Sequence, residues 1–224
     1  MKRLYLSVFA LLFGLSLLQA QQYEVFGGLS LPSIAFPETK SQHSGKSDVA
    51  ATFHTGVRAY FNLNIRSRSP IIYGIVGLEF NGKGYSLDKY KSKYYDFSGI
   101  KLEGRGYSLD VPVHFGVYVP VTPDVAVLIE GGPTPSFGLF GKWKRTWYYS
   151  GNEGQKSDGQ YYDRATECGF KRIDAAMNAS LGVEIQNKYT IRAGMDFGLI
   201  NLTRGCYPEN AKSRNLRLSV GYRF

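Results

Sequence analysis

Apolar and polar residues alternate one for one along five stretches of this chain, and a period of two describes a β-strand with two unlike faces. In 214–224, Leu216, Leu218, Val220, Tyr222 and Phe224 share one parity, against Arg217, Ser219, Gly221 and Arg223. In 52–63 the apolar set is Phe53, Val57, Ala59, Phe61 and Leu63, opposite Thr52, His54, Gly56, Arg58, Tyr60 and Asn62. Segments 107–119, 174–186 and 189–200 repeat the pattern, and noisier versions occupy 22–34, 71–85 and 124–141. Eight strands are therefore predicted. The breaks between them alternate in length: short at 64–70, 120–124 and 186–188, long and polar at 36–48, 88–103, 142–171 and 203–213. Consecutive antiparallel strands with that rhythm gather tight turns at one end and long loops at the other, as in a transmembrane β-barrel with periplasmic turns and external loops.

Composition agrees with an all-β chain. Twenty-six Gly, 17 Tyr and 14 Phe among 224 residues favour pleated structure, and 43% hydrophobic with 20% charged residues excludes disorder as the dominant state. Two Cys cannot build a four-thiolate metal site, so no cofactor is expected. The first twenty residues have the three parts of a secretory signal peptide: Lys2 and Arg3, an apolar run over 4–18, and a small-residue exit at Ala20. The expected organisation is a cleaved signal over 1–20 and one barrel domain over 21–224. No run of 18 apolar residues follows residue 20.

Eight amphipathic strands can close apolar-side-in, as in a soluble lipocalin-like periplasmic binder of a hydrophobic ligand, or apolar-side-out in a membrane. The polar parity carries Arg58, Glu79, Asp110, His114, Glu130, Asp174, Glu184, Arg192, Asp196, Arg217 and Arg223, interspersed with Gly and Ser. Charges of both signs beside small residues suit a narrow interior filled by ion pairs, whereas most Lys falls in the long loops. The membrane arrangement is preferred. The closing Tyr222 and Phe224, on the last strand, fit the C-terminal signal by which outer-membrane barrels meet their assembly machinery.

The segments Tyr107-Ser-Leu-Asp-Val-Pro-Val113, Gly131-Gly-Pro-Thr-Pro-Ser-Phe137, 174–184, 196–201 and 219–224 run in an order and spacing that resemble the PorT-type family of outer-membrane β-barrel proteins of Gram-negative bacteria. The resemblance implies an outer-membrane barrel and no shared catalytic residues. Some relatives serve protein secretion, a role that likeness of fold does not transfer.

Local chemistry is sparse. Cys168 and Cys206 fall in the third and fourth external loops, where the export route is oxidising and a bridge is geometrically reasonable; two separate thiols are the alternative. His54 and His114 read as facing the interior, paired to carboxylates, and His43 is the only loop histidine. No nucleophile elbow supports a rim-located hydrolase or acyltransferase. The motif Gly-Lys/Arg-Gly-Tyr-Ser-Leu-Asp occurs at 82–88 and 104–110 without the spacing of a phosphate loop. Its copies are expected to be two edges of one external hairpin, with Tyr85 and Tyr107 at the membrane interface. The third loop interleaves Trp143, Trp147, Tyr148 and Tyr149 with Lys144 and Arg145. Export argues against nucleic acid as its ligand. The expected partners are outer-membrane lipids including lipopolysaccharide, or an envelope or extracellular protein or glycan. The plainer alternative is that the two Trp mark the membrane interface. An eight-stranded interior is filled by side chains, so an open porin is not expected.

Overall fold

The computed structural model describes residues 22–35, 47–63, 71–90, 99–149, 152–160, 170–202 and 211–224. Among these residues eleven strands form one sheet, and every pairing is antiparallel. In chain order they are β1 Gln22–Ala35, β2 Ser47–Asp48, β3 Thr52–Asn62, β4 Ile71–Tyr90, β5 Gly99–Asp110 and β6 Val113–Thr122. Then follow β7 Val125–Tyr149, β8 Asn152–Gln160, β9 Ile173–Ile185, β10 Tyr189–Gly198 and β11 Lys212–Arg223.

Pairing runs from β1 to β3, from β3 to β4, and from β4 to both β5 and β6. Both of these pair with β7, β7 pairs with β9, β9 with β10, β10 with β11, and β11 with β1. β5 and β6 lie in line: β5 takes the upper half of β4 and β6 the lower, and Val111-Pro112 separates them. Proline has no amide hydrogen to give the ladder, but its carbonyl still accepts from Gly77 N at 3.1 Å. The β9–β10 turn is tight, with Gln186 and Asn187 at φ 54° and 55°. Positive φ at both central residues is the type I′ geometry that matches strand twist.

Every predicted strand has a counterpart, but the predicted loops are too long. β4 continues to Tyr90, β5 begins at Gly99, β7 runs on to Tyr149, and β8 occupies 152–160 inside the expected third loop. These extensions pair with one another, as in Gly99↔Tyr148 and Lys144↔Asp158, so their backbone groups stay satisfied. Polarity alone marked them as loops; the ladder overrides it.

The faces are inverted relative to a soluble sheet. The polar parity is buried and the apolar parity exposed: Leu29, Phe53, Val57, Phe115, Ile129, Leu181, Ile191 and Val220 each expose between 48% and 63% of their surface. Outward residues from Tyr107 to Val119 cover roughly 40 Å of strand at ~3.3 Å per residue, or roughly 28 Å of depth at a 45° tilt. That fills an apolar band ~25 Å tall. Aromatic clusters mark both ends. Tyr23, Tyr189, Tyr222 and Phe224 sit at the turn end, with centroids 5.6–6.5 Å apart between touching rings. Phe53, Phe80, Tyr107 and Phe140 cluster on the opposite side at 5.2–6.3 Å.

The noise in three strands has a plain cause. Phe26, Ile34, Tyr73, Ile75 and Leu128 take inward positions in strands otherwise lined by polar groups. Ile34 joins Tyr85, Phe170, Leu202 and Ala211 in an apolar cluster at the long-connection end, and Tyr60, Tyr73, Ile75 and Leu128 form a second.

Candidate functional site

All eleven residues expected in the interior are buried, none more than 6% exposed. Alternation on the strands puts them on one face, and pairing brings the strands together. The core of the network is a chain of opposite charges. Arg192 donates to Glu24 Oε1 at 2.5 Å and Oε2 at 2.9 Å, and its Nε lies 3.1 Å from Glu130 Oε2. Arg58 lies 3.9 Å from both Glu130 and Glu79. Arg217 donates to Glu79 at 2.5 Å and to Asp196 at 2.8 Å, and Asn178 adds a 2.7 Å bond to Asp196. Arg223 pairs with Glu184. This chain ties β1, β3, β4, β7, β10 and β11 across the interior, and Glu184 adds β9. Buried charges are tolerable only when paired; Arg192 and Arg217 are also hydrogen-bonded to their carboxylates, whereas Arg58 stands at ion-pair distance from its two.

Two aromatic systems complete it. The Arg58 guanidinium lies 4.0 Å above Phe26 and that of Arg223 4.2 Å above Tyr60, which places cations on electron-rich rings. Tyr60 donates to Glu24 and Tyr73 to Glu130, each at 2.8 Å. Gly221 makes room for the central carboxylate: a Cβ there would lie 2.5 Å from Glu24 Oε1 and 2.6 Å from Thr190 Oγ1.

Asp110 and His114 stand apart from the ion pairs. Asp110 accepts from Ser108 at 2.7 Å and Asn81 at 2.9 Å. His114 is 2.9 Å from the Thr134 hydroxyl, and His54 is 3.2 Å from that of Ser30. The expected histidine–carboxylate pairs are thus replaced by histidine–hydroxyl pairs, because the nearest inward groups on neighbouring strands are hydroxyls. Ser30 and His54 are 0% and 2% exposed, so their juxtaposition gives a substrate no access. Asp174 lies higher, accepting from Lys83 at 2.9 Å and Ser213 at 3.0 Å. Among the described residues, no cluster of His, Cys, Asp or Glu has the makings of a metal site.

The sequence missed Glu24, Tyr60, Tyr73, Asn81 and Lys83 as members of this network. Glu24 had a signal, a carboxylate between exposed Tyr23 and Val25, but inward Phe26 two residues on blurred the parity.

The external candidates are corrected. Residues 143–149 lie on β7 and not in a loop. Trp143 is only 6% exposed, and the Arg145 guanidinium stands 5.5 Å from its ring; Lys144 is exposed and Tyr148 half-buried. Trp147 and Tyr149 occupy the strand, their side chains outside the described set. Tyr85 is also corrected: it is 5% exposed and packs edge-on against Phe170 at 5.1 Å in the apolar cluster, not at the interface. Cys168, Cys206, His43 and the segment 1–20 fall outside the described residues. Tyr222 and Phe224 point outward, and Phe224 exchanges backbone hydrogen bonds with Tyr23 at 2.9 and 3.0 Å.

Buried ion pairs inside and exposed apolar residues outside belong to a chain whose solvent is lipid. The family described as "Outer membrane protein beta-barrel domain" matches residues 19–204. The chain belongs to this family. Among solved structures it is similar to the crystal structure of Ail, the attachment invasion locus protein of Yersinia pestis, at 14% identity and a TM-score of 0.41, covering 91% of this chain and 98% of that one. A second structure of Ail, in complex with the heparin analogue sucrose octasulfate, matches at 14% and 0.38 over the same shares. The backbone structure of Ail in a phospholipid bilayer nanodisc matches at 11% and 0.27, covering 91% and 100%. No curated protein matches the chain. As an outer-membrane β-barrel domain of the Gram-negative envelope, the chain needs its exposed apolar face, which would be an aggregation hazard in water.

Proposed function

We propose that the chain is a closed, eight-stranded barrel of the PorT type that acts as a structural or binding element of the outer membrane, not as an open porin. The observation that carries this reading is the filled interior. Counting β5 with β6 as one strand, eight strands each pair on both sides, which supports closure. The space among Asn81, Asp110, Thr134, Asp196 and Asn215 is only about 20 Å3, room for a single water. Above it stands the apolar cluster of Ile34, Tyr85, Phe170, Leu202 and Ala211. A recess of about 310 Å3, lined by Tyr60, Tyr73, Tyr118, Glu184 and Arg223, opens at the turn end and stops against the ion pairs. No enzymatic role is proposed. A lipocalin-like binder would need its large apolar side chains inward.

The remaining parts of the proposal follow from export and assembly. Residues 1–20 direct secretion, Tyr222 and Phe224 are read by the barrel-assembly machinery, and Cys168 and Cys206 bridge outside the membrane. The test is conductance of the refolded full chain in a planar bilayer. The expected record is flat, without discrete ohmic steps. Stable, reproducible steps would contradict a filled interior.

A further inference from the structure

The two copies of the repeated motif face each other across β4 and β5 in an internally symmetric register: Gly82↔Tyr107, Lys83↔Gly106, Gly84↔Arg105 and Tyr85↔Gly104. Each copy sets its tyrosine opposite a glycine of the other. Their faces are opposite, however. The first copy sends Lys83 inward to Asp174 and Tyr85 into the buried cluster. The second sends Arg105 outward, exposed, directly above Tyr107 of the aromatic cluster. The pairing then continues the outward cations: Arg105 is opposite Lys142, and Glu103 is opposite Lys144. Glu103 is engaged by Lys101 at 2.7 Å, and Asp158 of β8 lies opposite Lys144. Arg105, Lys142, Lys144, Lys101 and Lys156 against Glu103 and Asp158 leave this face three charges positive. Beside the cations, Ala50, Ala51, Ser86 and Gly104 line a recess of about 510 Å3.

Cations immediately above an outward aromatic cluster, next to a recess with small walls, lie where the headgroups of the outer leaflet meet the apolar band. We propose that Arg105, Lys142 and Lys144 bind the phosphate groups of a glycolipid of the outer leaflet, whose acyl chains lie on Phe80, Tyr107 and Phe140. Charge complementarity selects this occupant: guanidinium and ammonium groups give charge-assisted hydrogen bonds to phosphate, and the rings of Phe80, Tyr107 and Phe140 below offer apolar area, with the Tyr107 hydroxyl their one polar group. This site rests on the membrane reading given above and names one of its partners.

The test uses the full chain in phosphatidylcholine nanodiscs carrying a minor share of lipid A, either phosphorylated or enzymatically dephosphorylated. Lipid retained per chain after exchange is the readout. The wild type should retain the phosphorylated form about tenfold better, and Arg105→Gln/Lys142→Gln/Lys144→Gln should abolish that preference. Inorganic phosphate should compete only weakly. Equal retention of both lipids, or an unchanged preference in the triple variant, overturns the site. So does displacement by inorganic phosphate at low concentration, which would make it a free-anion site. Binding of a soluble polysulfated glycan that the triple variant loses, without lipid retention, also overturns it in favour of an external glycan. Gel mobility of heated and unheated samples is run on both proteins. A wild type without a heat-dependent shift removes the membrane reading and the site together, whereas a shift without lipid preference removes the site alone.

Discussion

Arg192 reaches from β10 to hold Glu24 with two hydrogen bonds, touches Glu130 through Nε, and donates to Tyr60 Oη at 2.8 Å. Replacing Arg192 with Met would leave two carboxylates buried without their nearest cation. Such a loss costs about 3–5 kcal/mol, so the unfolding free energy of Arg192→Met, from urea titration in lipid vesicles, should fall by that amount and the midpoint should drop with it. Glu24→Gln in the same chain should recover part of it, since the amide needs no counter-charge. If Arg192→Met unfolds like the wild type, the network does not hold the interior. At this scale much of the site was legible: all eleven residues that parity placed inside are buried, though Glu24, Tyr60, Tyr73, Asn81 and Lys83 were missed. It could not assign partners, because Arg192 and Glu24 are 168 positions apart in the chain. It also paired His54 and His114 with carboxylates when hydroxyls stood closer.

Between elements, the seam of β1 with β11 depends on one close approach. A Cβ on Gly28 would collide with the Leu218 carbonyl and come within 2.7 Å of Ser219 Cα. Gly28→Val must push the two strands apart, and overpacking of this kind costs about 1–3 kcal/mol. The neighbouring Gly27 meets nothing nearer than 3.6 Å, so Gly27→Ala should stay within about 0.5 kcal/mol of the wild type. Unfolding midpoints of the two variants, measured side by side, check the contrast; equal loss in both would contradict it. Most strands were legible from period two; β8, in polar sequence, and the strand ends were not. β4, β5, β7 and β8 extend through polar sequence because each finds a partner, and pairing across tens of residues leaves no local mark. The repeat at 82–88 and 104–110 was visible as a hairpin, but which tyrosine faces inward follows from register. Tyr85 and Tyr107 fall on opposite faces because each lies opposite a glycine of the other copy.

Over the whole molecule, inversion is what sets lipid apart from water as the solvent. Seven buried carboxylates, from Glu24, Glu79, Asp110, Glu130, Asp174, Glu184 and Asp196, are gathered with four buried arginines while the apolar side chains face out. In water that arrangement would expose apolar area and bury charge, the reverse of what stabilises a soluble sheet. In a bilayer the apolar face meets lipid, with backbone groups paired between strands and aromatic clusters at both ends of the apolar band. The sequence carried the inversion only through the mixture of charges and glycines on the polar parity; burial of that face settles its direction. The most direct test is to fractionate membranes from cells producing the full chain, then compare gel mobility of heated and unheated samples. The inside-out barrel should be found in the outer-membrane fraction and change mobility on heating. A chain recovered soluble from the periplasm, with the same mobility before and after heating, would contradict it.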